Sequence, residues 1–387
     1  MSASRQLYID NLRLLMIILV VLQHIAVTYS GFGGWYYIEP SEMDIIQTVI
    51  FGFHQAFTQG YFMGFLFLIA GYFTPESYDK KGFGKFIKDR FIRLGVPTII
   101  YMLVIHPVLV FNIMGYRLDT NGSFITQGDS SLLSSYAGYF TGLHVISGTG
   151  PLWFALALLI FSVIYALFRK CFSSKPLASG KSFPKLSSII ALILLISVCA
   201  FLIRIVQPRG TDVLNMQFAY FSQYVILFVA GIYCKRYDWF EKLDYANGKR
   251  WLVCGMLLGF VLFWAIHIAG GALGGNFEPF DGGLTWQSAA FALWESFVSV
   301  AMSIGLLAFF RGKFNKQNWL VQKLSQNAFS VYVFHPLIIV LLSLLFAPVN
   351  LIPIAKFAIV AVIGIPVCFL ITDLTIQRIP FLRKLFA

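Results

Sequence analysis

The sequence predicts an all-α integral membrane protein, a bundle of about ten transmembrane helices with the N- and C-termini cytoplasmic. Three observations carry that expectation. Of 387 residues, 58% are hydrophobic and only 12% charged, whereas soluble domains carry about 25% charged residues. Apolar runs near the length of about 20 residues that a helix needs to cross a bilayer recur along the whole chain. Basic residues fall between alternate runs, as the positive-inside rule requires. A single membrane domain over residues 1–387 is expected, with no separate soluble domain.

Span one covers residues 12–29 and is apolar almost throughout, with Arg13 in its inner half and His24 toward its outer end. The N-terminus is similar to a signal peptide, but Gln23 and His24 interrupt the apolar run and no clear small-residue cleavage site follows. An uncleaved first span is therefore expected. Span two lies within residues 45–73 and is interrupted by His54, Gln55, Gln59 and Gly60. After it, Lys85, Lys88, Arg90 and Arg93 recur at near-helical spacing, interleaved with Phe83, Phe86, Phe91 and Leu94. That pattern predicts an amphipathic helix on the inner surface, whose arginine forks suit phosphate oxygens. Span three is 94–114 with His106, and span four is 152–168. A polar linker over 173–184 leads to span five, 188–206, which carries Arg204. Spans six and seven are 218–233 and 251–269. Span eight, 286–310, holds Glu295 near its middle; span nine, 329–346, holds His335 in its inner half; span ten is 354–374.

The net charge of +12 would suit a nucleic-acid partner, but its distribution assigns it to topology. One set of loops holds Lys80, Lys81, Lys85, Lys88, Arg90 and Arg93, then Arg169, Lys170, Lys175, Lys181 and Lys185. Three later clusters follow around Lys235, Arg311 and Arg378. The other loops carry almost no basic residue apart from Arg117, Arg209 and Lys356. The five cysteines show neither metal-ligand nor redox spacing and read as small apolar packers. No bound cofactor or metal is expected. Asn121 begins a glycosylation acceptor triplet on an expected outer loop.

An ionisable group inside a membrane costs about 2.5 to 3.5 kcal/mol on insertion scales unless it is paired or used. Arg13 and His24 are eleven residues apart, about 20° from whole helical turns, so they share one face with a separation of about 16 Å. A polar cavity accounts for that stripe better than lipid does. Glu295 cannot snorkel from mid-span and must be paired, hydrated or protonated.

Five segments in order then resemble one family. Tyr8-Ile-Asp10-Asn-Leu-Arg13, ten residues and His24 resemble the arginine-x10-histidine motif of the membrane-bound acyltransferase-3 family. Phe67-Leu-Ile-Ala-Gly-Tyr-Phe73 resembles its phenylalanine-rich end of span two. Asp89-Arg90-Phe-Ile-Arg93-Leu-Gly-Val-Pro97 resembles its basic entry to span three, and Gly150-Pro-Leu-Trp153-Phe154 its Leu-Trp-Phe start of span four. Ser330-Val-Tyr332-Val-Phe-His335-Pro336 is similar to its late Tyr-x-x-His segment. Ala70 and Pro151 depart from the serine and histidine that many members carry. The resemblance implies transfer of an acyl group, acetyl or another short chain, from cytoplasmic acyl-CoA to a hydroxyl of an exported glycan or lipid, at the plasma membrane. It implies His24 as general base or acyl carrier, and Arg13 as a group that orients the donor or stabilises charge on the thioester oxygen. Arg90, Arg93 and Lys88 become the expected phosphate contacts, and Glu295 a candidate for orienting His24 or the acceptor. The rival class is a secondary transporter or flippase, in which the same buried groups would form a substrate pathway.

Overall fold

The computed structural model describes residues 6–39, 42–119, 123–126, 130–172 and 182–386. Asn121, Lys175, Lys181 and most of the 173–184 linker lie outside them. The described chain is helical almost throughout, with one two-residue antiparallel pair, β1 (Arg117–Leu118) and β2 (Phe124–Ile125), in a loop.

The helices in order are α1 (Leu7–Ser30), α2 (Ile45–Gln59), α3 (Phe62–Arg90), α4 (Val96–Ile100), α5 (Leu132–Thr141) and α6 (Trp153–Cys171). They continue with α7 (Leu186–Val206), α8 (Phe221–Arg236), α9 (Trp239–Lys242), α10 (Tyr245–Ala269) and α11 (Glu278–Asp281). The last four are α12 (Trp286–Lys313), α13 (Trp319–Phe346), α14 (Pro353–Leu374) and α15 (Pro380–Phe386). Several of these starts follow elementary capping chemistry. Asp44, Asp244, Thr285 and Asn318 each accept a hydrogen bond from a backbone N–H three residues on. Gly31 ends α1 in the left-handed conformation, at φ 69°.

Nine continuous helical stretches among the described residues are long and apolar enough to span a membrane. The longest, Ile45–Ile113, has 69 residues and would measure about 100 Å as one rod, against a hydrocarbon core of about 30 Å. It is broken at Gly82, where φ is 70° and ψ 171°, and so holds both the second and the third expected spans. The amphipathic stretch after Gly82 is helical as expected, with Phe86 buried. It enters span three through π-turns at Phe91–Gly95 and Tyr101–Ile105, with a further π-turn at Val108–Ile113. These wider turns lie beside Pro97 and Pro107, each of which removes one N–H from the regular ladder.

Helix α1 occupies the middle of the bundle and packs against α2, α3, α12, α13 and α14. Helix α10 is peripheral; Met256, Leu257 and Val261 are all more than half exposed, which is the apolar belt that lipid would cover.

The basic clusters gather at one end. Arg169 pairs with Asp79 at 2.9 Å and Lys235 with Glu76 at 2.9 Å. Arg311 donates to the carbonyls of Phe240 and Leu243. The Asn11 amide donates to the carbonyls of Phe314 and Lys316, and Ser330 Oγ donates to the Phe386 carbonyl. Both described ends of the chain therefore lie at the basic end.

Candidate functional site

At the other end, the site begins with the last two turns of α1. After Gly31 the chain turns back, and the Glu39 N–H donates to the Thr28 carbonyl at 2.9 Å. Lys356 pins this return loop from α14: its Nζ lies 2.5 Å from Glu39 Oε1 and donates to the Ala347 carbonyl. The loop lays the indole of Trp35 on His24, with ring centroids 3.8 Å apart and planes inclined by 11°.

The opposite partner of His24 comes from α13. His24 Nδ1 and His335 Nε2 are 2.9 Å apart, and the two rings stack at 5.0 Å. His335 is fully buried, and its Nδ1 lies 2.8 Å from the Tyr332 carbonyl oxygen and 3.2 Å from that of Val331. Sequence depth placed His24 outward and His335 inward in their spans. The contact corrects this: the two rings are level, because the first turns of α13 belong to the basic end, where Lys323 pairs with Asp373.

His24 lines a cavity of about 1180 Å³. The cavity reaches loop residues Asp212, Asn215 and Gly275, at the end away from the basic clusters. Gln55, Gln59, His106 and Tyr36 supply polar wall, and Trp153 and Tyr220 supply aromatic wall. Gln55 Nε2 donates to Ser30 Oγ at 2.7 Å, and Gln59 Nε2 donates to Tyr224 Oη at 3.2 Å, so these amides are oriented by the bundle. The Tyr36 and Tyr101 hydroxyls lie 3.0 Å apart, and burial holds the Tyr36 phenol above its ordinary pKa. Tyr332 donates to the Pro151 carbonyl, joining α13 to the turn before α6. Pro151, where many family members carry histidine, lines the cavity.

Arg13 remains on the expected helix with no break between it and His24. Its guanidinium lies 3.6 Å from Asp10 and 4.7 Å above the Phe73 ring, with the side chain 41% exposed. Arg90 packs its guanidinium over Phe86 and sits in the field of Arg93 and Arg13. Arg93 and Lys88 are exposed. Arg13 and Arg93 thus both face Arg90 electrostatically, and eleven residues of α1, about 16 Å of helix, separate Arg13 from His24.

Glu295 is placed elsewhere. Its Oε2 lies 2.5 Å from Arg204 Nη2, Arg204 is fully buried, and Arg204 Nε donates to the Ala219 carbonyl at 3.2 Å. Glu295 is not among the cavity-lining residues. Glu295, the candidate for orienting His24 or the acceptor, is the ion-pair partner of Arg204, and the side chain within hydrogen-bond distance of His24 is His335. Trp35 and His335 are the two residues against His24 that sequence reasoning did not assign to the site. His335 carried a signal in the Tyr332-x-x-His335-Pro336 run; Trp35 carried none beyond its place just after span one.

The fold and this cavity define a multi-span membrane protein with a histidine held at a polar, aromatic-walled chamber. A family model described as an acyltransferase domain matches residues 6–373. The chain belongs to the membrane-bound acyltransferase-3 family, and its activity is acyl transfer. No curated protein and no solved structure matches the chain.

Proposed function

We propose that the protein transfers an acyl group, acetyl or another short chain, from cytoplasmic acyl-CoA to a hydroxyl of a glycan or lipid acceptor at the plasma membrane. One observation carries the reading. A single unbroken helix presents His24 to a cavity at one end of the bundle and Arg13 to an arginine group at the other, about 16 Å apart. That separation suits a donor whose phosphates bind the basic end and whose thioester reaches the histidine.

In this reading Arg13, Arg90, Arg93 and Lys88 bind the phosphates of CoA through charge-assisted hydrogen bonds. The acceptor occupies the aromatic-walled cavity, since stacked rings and oriented amides suit a polyhydroxyl ligand. His24 removes the acceptor hydroxyl proton as that oxygen attacks the thioester carbonyl. The tetrahedral oxyanion then collapses, the carbon–sulfur bond breaks, and the departing thiolate takes the proton back from His24. The products are the acyl ester and free CoA.

Purified protein mixed with radiolabelled acetyl-CoA and a panel of glycan acceptors tests this directly. His24→Ala is expected to remain folded and to lose about 10²-fold or more in kcat. Changing Arg90 and Arg93 together to glutamine is expected to raise KM for the donor with little change in kcat, as for binding energy shared by ground and transition states. A His24→Ala protein that acylates at the wild-type rate would eliminate His24 as the base.

A further inference from the structure

Helix α13 contains a proline in its interior, Pro336. Proline has no N–H, so the carbonyl four residues earlier, that of Tyr332, loses its regular helical donor. The group that reaches this carbonyl is the side chain of the residue just before the proline: His335 Nδ1, at 2.8 Å. A carbonyl oxygen only accepts, so Nδ1 of His335 carries the hydrogen. In neutral His335, Nε2 is then an acceptor. It faces His24 Nδ1 at 2.9 Å, so His24 Nδ1–H donates and the lone pair of neutral His24 lies on Nε2. Trp35 covers one face of the His24 ring, which leaves rotation of the imidazole little room.

We infer that His335 is a positioning residue for acyl transfer, fixing the tautomer and ring orientation of His24 through a proton acceptor that the His335–Pro336 pair locks in place. The inference rests on the reading of His24 as the base. When His24 takes up the acceptor's proton on Nε2, its Nδ1–H still donates to His335, so the imidazolium keeps a hydrogen-bond partner in a buried setting. This is the role that the second ring nitrogen's partner plays wherever histidine acts as a base. Here a neutral imidazole does it, and no carboxylate sits against His24 among the described contacts.

The test compares two substitutions of similar length. In His335→Gln the amide oxygen occupies the region of Nε2 and accepts from His24; in His335→Met nothing of comparable strength does. His335→Met is expected to lower kcat about 10- to 100-fold, part of the 10²–10⁴ that a positioned base contributes, with KM for acetyl-CoA within about twofold. His335→Gln is expected to recover most of that loss. A second readout is independent of turnover: diethyl pyrocarbonate acylates a neutral imidazole nitrogen, and the His24 peptide can be followed by mass spectrometry. Modification of His24 should slow severalfold in His335→Met and stay near wild type in His335→Gln. Equal kcat in the two variants, each as thermally stable as wild type, overturns the inference, because they differ mainly in the acceptor. Should His335→Met fail to fold, His335→Gln still decides, since a loss beyond about 10²-fold in that folded variant overturns it. Failure of the reading of His24 as the base is separate: it would show as an active His24→Ala protein, whereas an inactive His24→Ala beside a fully active His335→Met removes only the role of His335.

Discussion

At 2.5 Å from Arg204 Nη2, the Glu295 carboxylate is committed to one cation in a site where both side chains are almost completely buried. Such a pair is costly to assemble and costlier to break, because removing one member leaves an uncompensated charge in a low-dielectric interior. Arg204 has little in reserve: its Nη1 makes no hydrogen bond among the described residues. Glu295→Gln is therefore expected to destabilise the protein by about 3–5 kcal/mol, read as a lower Tm in detergent, with kcat per folded molecule unchanged. The double change Arg204→Met and Glu295→Leu is expected to regain most of that stability. A stable but inactive Glu295→Gln protein would return the carboxylate to the chemistry.

The packing of α3 on α8 shows how one helix pair sets the position of a wall. A Cβ added at Gly71 would lie 2.0 Å from the Phe228 carbonyl oxygen, and one added at Gly231 would lie 2.1 Å from that of Leu68. The two backbones touch, which is how membrane helices associate without a hydrophobic driving force. Gly71 belongs to the Phe67–Phe73 run, so that run has a structural reason for its glycine as well as a familial one. Close approach here brings Phe67 onto Tyr224, with ring centroids 5.0 Å apart, and Tyr224 lines the cavity. Gly231→Ala is expected to cost about 1–3 kcal/mol by forcing the helices apart. Thermal unfolding of the purified variant measures this, and an unchanged Tm would mean that the pair relaxes freely.

Across the whole molecule, charge is sorted by end. Three basic residues stood outside the clustered loops, and each has a local partner. Arg209 pairs with Asp281 at 2.8 Å and Lys356 with Glu39 at 2.5 Å, while Arg117 donates to the carbonyls of Phe111, Gly115 and Tyr116. Two of the three are thus neutralised by carboxylates of the same end. With the basic end cytoplasmic, a single cysteine introduced at position 316 in a background lacking the five native cysteines should resist an impermeant maleimide applied to intact cells. One at position 275 should react. Labelling at 316 would invert the orientation and move the acyl donor to the wrong side.

Much of this was legible in the sequence because hydropathy and helical geometry are local. The spans follow from apolar length, the charge sorting from lysine and arginine between them, and the Arg13–His24 stripe from the fixed advance of α1. The unbroken helix from Leu7 to Ser30 needed no tertiary information. What the chain order could not supply was which residues meet across helices. His24 and His335 are 311 positions apart, and a span's depth in sequence does not give the vertical offset at which it docks, so their contact was not foreseeable. Glu295 had to be paired, hydrated or protonated by the cost of burying its charge, and that much was fixed in advance. That its partner is Arg204 rather than His24 was decided by the packing of α7 on α12, because a buried charge is satisfied by whichever opposite group the tertiary fold delivers to it.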